Sequence, residues 1–88
     1  MILNIGDNHT VPVSDIVMIL AATALDSATN AVYLETIRKR AAVVSIAQER
    51  VKSIIYTKRE GKETLYYSPV LPFTLLKRVN QAQARRGK

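Results

Sequence analysis

Eighty-eight residues with 48% apolar content make one packed domain and argue against a disordered chain. With no cysteine in the chain, disulfides and thiolate metal sites are excluded, which fits a cytoplasmic protein. The net charge of +6 is unevenly spread: residues 1–37 hold Asp7, Asp15, Asp26 and Glu35 and no Lys or Arg, while all thirteen bases fall in residues 38–88.

The chain opens on a short apolar run, residues 2–5, stopped by three turn formers, Gly6, Asp7 and Asn8. Residues 10–13 follow, and Pro12 confines them to an edge or bulge because it has no ladder N–H to donate, so a β-hairpin is predicted. Residues 16–22 read as a strand, since their β-branched and long apolar side chains pack well on a sheet. Periodicity alone leaves a helix open there. The stretch 16–25 is similar to a signal-peptide core, but Asp7 and Asp15 precede it where cations belong. Its length also falls short of the ~20 apolar residues that span a bilayer, so it reads as core.

Asp26-Ser27 supplies an N-cap for a helix in which Ala31, Leu34 and Ile37 recur at helical spacing, with Tyr33 beside them. Glu35 and Lys39 are placed for an i,i+4 pair, and Arg38, Lys39 and Arg40 complement the dipole at the helix end. Residues 41–46 return to strand composition. Gln48, Glu49 and Arg50 lead into a strand over residues 51–57, with Ile54 and Tyr56 on one face and Val51 and Ile55 on the other. Arg59-Glu60-Gly61-Lys62 turns the chain, and residues 63–68 pair back with Leu65 and Tyr67 opposite in face to Tyr66. Pro72 opens a second helix with Leu75, Leu76 and Val79 as its apolar stripe. Residues 1–80 form the single domain, and residues 81–88 a basic tail expected to fray. So small a core is marginal alone, and association between copies is expected.

No catalytic constellation is present. His9 is the only histidine, Ser14 has no base partner in sequence, and Asp7, His9 and Asp15 match no metal-ligand spacing. Gly6 belongs to no phosphate loop. These absences predict a binding module without enzyme activity, metal, cofactor or small-molecule substrate. The bases gather in four groups: 38–40, Arg50 with Lys52, 58–62, and 77–88. Cations on loops and hairpin tips bind phosphates without sequence choice, and the segregated charge is what a polyanion-binding surface looks like in sequence. The bland alternative is charges that scatter over a solvated surface once folded. Tyr66 and Tyr67 are read as core residues before stacking platforms.

ILNIGDNHTVPVSDIVMIL at 2–20, RVKSIIYT at 50–57 and LYYSPVLPFTLLKRVNQ at 65–81 together cover most of residues 1–80. On these segments the chain resembles the extracellular matrix regulator family, the RemA and RemB proteins, and the RemB branch most. The resemblance implies a DNA-binding transcriptional regulator of biofilm matrix genes. It also implies a small LytTR-like fold assembled into a ring, with DNA at the periphery. It further implies that a basic run leading into strand 51–57 contacts DNA. Arg50 and Lys52 fit that run, whereas Glu49 stands where a cation would be expected.

The reading is therefore one α+β domain of five or six short, mainly antiparallel strands and two helices, forming a ring-like homo-oligomer that binds double-stranded DNA. No membrane association is expected. Arg50 and Lys52 are the first candidates for phosphate contacts. In a strand they would share a face ~6.5–7 Å apart, near two ~3.4 Å phosphate steps. Lys58, Arg59 and Lys62 come next, with Arg38 and Arg40 in support. Two rival classes remain: an RNA-binding or ribosome-associated basic protein, and a structural module whose basic face meets an acidic protein.

Overall fold

Two left-handed residues, Asp7 (φ 48°) and Asn8 (φ 62°), close the first hairpin between β1 (Ile2–Gly6) and β2 (His9–Pro12). Asn and Asp tolerate this region best after glycine, and positive φ at both turn residues matches the twist of paired strands. The fold is that of a computed structural model, which describes residues 1–47 and 49–86. Gln48 of the polar connection, Gly87 and Lys88 of the basic tail, and the side chains of residues 82–86 lie outside the described residues.

A 3-10 turn, Val13–Asp15, delivers the chain to β3 (Ile16–Ala21). The strand ends where alanines begin, and Ala22–Asp26 forms a second 3-10 turn. Ser27 then caps α1 (Ala28–Arg38), its hydroxyl accepting from the Asn30 N–H at 3.5 Å. β4 (Ala42–Ser45), β5 (Ser53–Arg59), β6 (Lys62–Ser68) and α2 (Pro72–Arg86) complete the order. The four later strands form one sheet in the order β3-β5-β6-β4. β5 is antiparallel to both neighbours and β4 is parallel to β6. β3 and β4 therefore run the same way at opposite edges, with the β5–β6 hairpin between them and α1 carrying the chain back across one face.

Alternation along β5 and β6 builds a core on each side of the sheet. Ile54, Tyr56 and Leu65 meet Leu34 and Ile37 of α1 on one side. Ile55 meets Leu3, Ile5 and Val11 of the first hairpin and Leu75 of α2 on the other, with Tyr66 and Val79 packed against them. The pairing register slips between Ile16 and Met18, a bulge at Val17 that keeps Ile16 and Ile19 on the hairpin side and Met18 on the α1 side.

All three segments that carry the family resemblance meet here. Ser68 donates to the Ile5 carbonyl at 2.5 Å, and its cross-strand partner Ser53 donates to the Val70 carbonyl at 2.5 Å. Both serines are fully buried, so these bonds satisfy hydroxyls that would otherwise be costly.

Several sequence expectations change. β5 begins at Ser53 and reaches Arg59, two residues later than the strand expected over 51–57 at both ends. Val51 precedes the ladder, escapes its alternation and packs on the α1 side, not with Ile55. Ala31 is exposed and Leu76 half-exposed, because only Leu34 with Ile37, and Leu75 with Val79, reach the sheet. Glu35 pairs with Arg38 at 3.7 Å, one residue short of the expected partner Lys39. The second helix continues to Arg86, through the first six residues of the segment expected to fray.

Candidate nucleic-acid interface

β5 runs between two groups of cations. At its start, the chain bends: the Arg50 N–H donates to the Ala47 carbonyl at 3.2 Å. Lys52 is held on both sides, its N–H donating to the Ser68 carbonyl at 2.8 Å and its carbonyl accepting from the Ala22 N–H at 2.9 Å. Arg50 therefore sits in a turn and Lys52 just before the strand, so the regular strand spacing expected of the pair does not hold. Both side chains are exposed, as is Glu49. Among the described residues neither cation has a carboxylate at ion-pair distance.

At the far end, Glu60 (φ 50°) and Gly61 (φ 82°) close a two-residue turn that brings Arg59 opposite Lys62 and Lys58 opposite Glu63. Like charges directly opposed on a sheet repel, and here a carboxylate from outside the hairpin intervenes between Arg59 and Lys62. Asp15 reaches Arg59 at 3.3 Å. Arg40, carried to the tip by the end of α1, donates through Nε to Glu63 at 2.7 Å.

Burial pushes the Glu63 carboxyl up, but hydrogen bonding from Arg40 and Tyr56, with the charges of Arg40 and Lys58, outweighs it and holds the group below its ordinary value. The same bond to Glu63 raises Arg40. A cleft of about 310 Å³ at this tip is lined by Asp15, Arg59, Glu60 and Lys62 over Thr64 and Tyr66. Its two acids balance its two bases, so it is no simple anion pocket.

The seven candidate cations thus do not form one patch. Arg38, Arg40, Lys58, Arg59 and Lys62 lie toward the tip end, whereas Arg50 and Lys52 lie some six residues away along β5, about 20 Å at ~3.3 Å per residue. Arg40 and Arg59 are each tied to a carboxylate. Arg38 makes only the exposed contact with Glu35, a kind worth ~0–1 kcal/mol. Arg50, Lys52, Lys58 and Lys62 remain exposed and unpaired among the described residues.

Tyr66 and Tyr67 are half-buried against opposite cores rather than displayed as stacking platforms. Of the fourth basic group, Arg78 donates to the Asn4 carbonyl at 2.9 Å and helps seat α2 on the first hairpin. Asp15 was not singled out as a site residue in the sequence. Its segregation in the acidic half was the only signal that it would find a cation.

The fold and these surfaces define a small α+β module with cations on loops at both ends of its central strand, and no described helix is long and apolar enough to cross a membrane. The model of the RemA-like family, extracellular matrix regulatory protein A-like, matches residues 2–79, and the chain belongs to that family of matrix regulators. Among curated proteins, none matches the chain.

Proposed function

We propose that the protein regulates extracellular matrix genes by binding double-stranded DNA in the cytoplasm, as a noncatalytic, ring-like homo-oligomer with a LytTR-like DNA-binding domain. The observation that carries this reading is the exposed, unpaired pair Arg50 and Lys52 on the segment entering β5, in a chain of the matrix-regulator family. Phosphate contacts need cations that are free to release counterions, and among the described residues these two have no carboxylate at ion-pair distance. Lys58 and Lys62 at the hairpin tip supply further contacts, while Arg40 and Arg59 mainly hold the tip together.

The test is a gel-shift titration on long duplex DNA at two salt concentrations, with structured RNA as competitor. Binding that weakens steeply with salt and resists RNA competition is the expected result. Preferential displacement by RNA would move the protein to the RNA-binding class. An absence of salt-sensitive binding to either would leave a partner-binding module.

A further inference from the structure

Two ion pairs stand at the hairpin tip, and they differ in kind. Arg40 meets Glu63 through Nε at 2.7 Å, and Tyr56 adds a hydrogen bond to the same carboxylate. Arg59 meets Asp15 at 3.3 Å, and no second carboxylate reaches its guanidinium among the described residues. The Arg59 side chain is 66% exposed, whereas that of Asp15 is only 16% exposed. The acid is a fixed part of the fold, and the base is free to leave it.

The local backbone accounts for the position of Asp15. Ile16 pairs with Thr57, so a strand continued backwards would turn the Asp15 side chain to the face opposite Ile16. The 3-10 turn Val13–Asp15 breaks that continuation and delivers the carboxylate to the cleft it shares with Thr57, Arg59, Thr64 and Tyr66. The Thr57 hydroxyl there donates to the Thr64 carbonyl at 3.2 Å. Glu60 lines the same cleft but is exposed and has no cation at ion-pair distance among the described residues. Of the two acids, only Asp15 is delivered to a base.

We propose that Asp15 holds Arg59 in place of a phosphate and yields it when duplex DNA arrives, so that the tip gains this cation only in the complex. The proposal rests on the DNA-binding reading above and adds how the charge of the tip is regulated. An ion pair with one partner largely exposed is weak, so a phosphate can displace the carboxylate. Arg40, with its shorter bond to a carboxylate that Tyr56 also holds, stays where it is. The neighbouring Lys58 and Lys62 are exposed and unpaired among the described residues, and they draw phosphates to the spot. In the free protein, the Asp15 pair relieves the repulsion between Arg59 and Lys62 across the turn. Asp15 thus keeps the hairpin intact without a polyanion and lowers its affinity for one.

The experiment measures duplex affinity by gel shift for the wild type, Asp15→Asn, Glu60→Gln and the double variant Asp15→Asn/Arg59→Ala, with fold checked by circular dichroism. Asp15→Asn is expected to tighten binding by up to about fivefold per engaged subunit, the whole worth of an exposed ion pair. Glu60→Gln removes the same charge from the same cleft without releasing a base, so its gain should be smaller. Adding Arg59→Ala should cancel the gain of Asp15→Asn. A gain for Asp15→Asn no larger than that for Glu60→Gln, or one that survives Arg59→Ala, overturns the exchange while leaving DNA binding standing. A wild type that does not bind duplex overturns the DNA reading itself. A second measurement needs no variant: on adding duplex to the wild type, the nuclear magnetic resonance signal of the Arg59 Nε–H should shift while that of Arg40 stays. An unmoved Arg59 signal on a bound duplex overturns the proposal even if Asp15→Asn disturbs the fold.

Discussion

Gly6 stands at φ 119° at the end of β1, where a Cβ would lie 3.0 Å from Pro69 Cδ. Backbone strain and contact act together there, so Gly6→Ala should lower unfolding free energy by about 1–3 kcal/mol, read from a denaturant midpoint. Gly61→Ala meets open space and carries only the backbone penalty of φ 82°, so its loss should be smaller. Equal midpoints for the two variants would show that the Pro69 contact is unimportant.

Glu63 adds a pH dependence of definite sign. Its folded carboxyl titrates below the ordinary 4.5, so the unfolded chain binds that proton more tightly. The stabilisation is present above that pH and is lost as pH falls through the lowered value. Thermal melts at about pH 7 and about pH 3 should show a smaller acid-induced loss for Glu63→Gln than for the wild type. Parallel losses would place the acid sensitivity elsewhere.

Among the elements, the β1–β2 hairpin is a separate two-stranded ribbon, tied to the main sheet by a few specific contacts as well as by Leu3, Ile5 and Val11. Two-stranded ribbons are marginal alone, so its docking bonds matter. Ser68→Ala removes the donor to the Ile5 carbonyl and should cost about 1–3 kcal/mol. Hydrogen exchange should then quicken in residues 2–12 more than in β5; uniform quickening would mean that the hairpin is not a separable unit.

Much of this architecture was legible locally. The turn residues at 6–8 and 60–61, the Ser27 cap, Pro72 and the alternation of Ile54, Ile55 and Tyr56 each carry their own stereochemical signal. The parallel pairing of β4 with β6 does not, because parallel neighbours are joined through distant chain and leave no turn between them. The same limit applied to the site. Residue type disclosed the cations, but Arg40 is neutralised by Glu63, 23 positions away, and only the fold brings them together.

Across the whole molecule, the acidic first half and basic second half are stitched at Asp15–Arg59, which draws down the charge of the hairpin tip and leaves the opposite end of β5 comparatively free. That asymmetry ranks the two ends. Replacing Arg50 and Lys52 together with alanine should weaken duplex binding more than replacing Lys58 and Lys62, with circular dichroism and assembly mass unchanged in both. Losing two phosphate contacts should flatten the plot of log K against log salt by up to ~1.8 per engaged subunit. An oligomer multiplies the effect, since each copy held on the same duplex binds at high effective concentration. Glu49 lies beside the pair and is exposed, so Glu49→Arg should tighten binding and steepen the salt dependence. If the Arg50/Lys52 variant keeps wild-type affinity and slope while the Lys58/Lys62 variant loses both, DNA lies along the hairpin tip. In that case the free cations entering β5 serve another purpose.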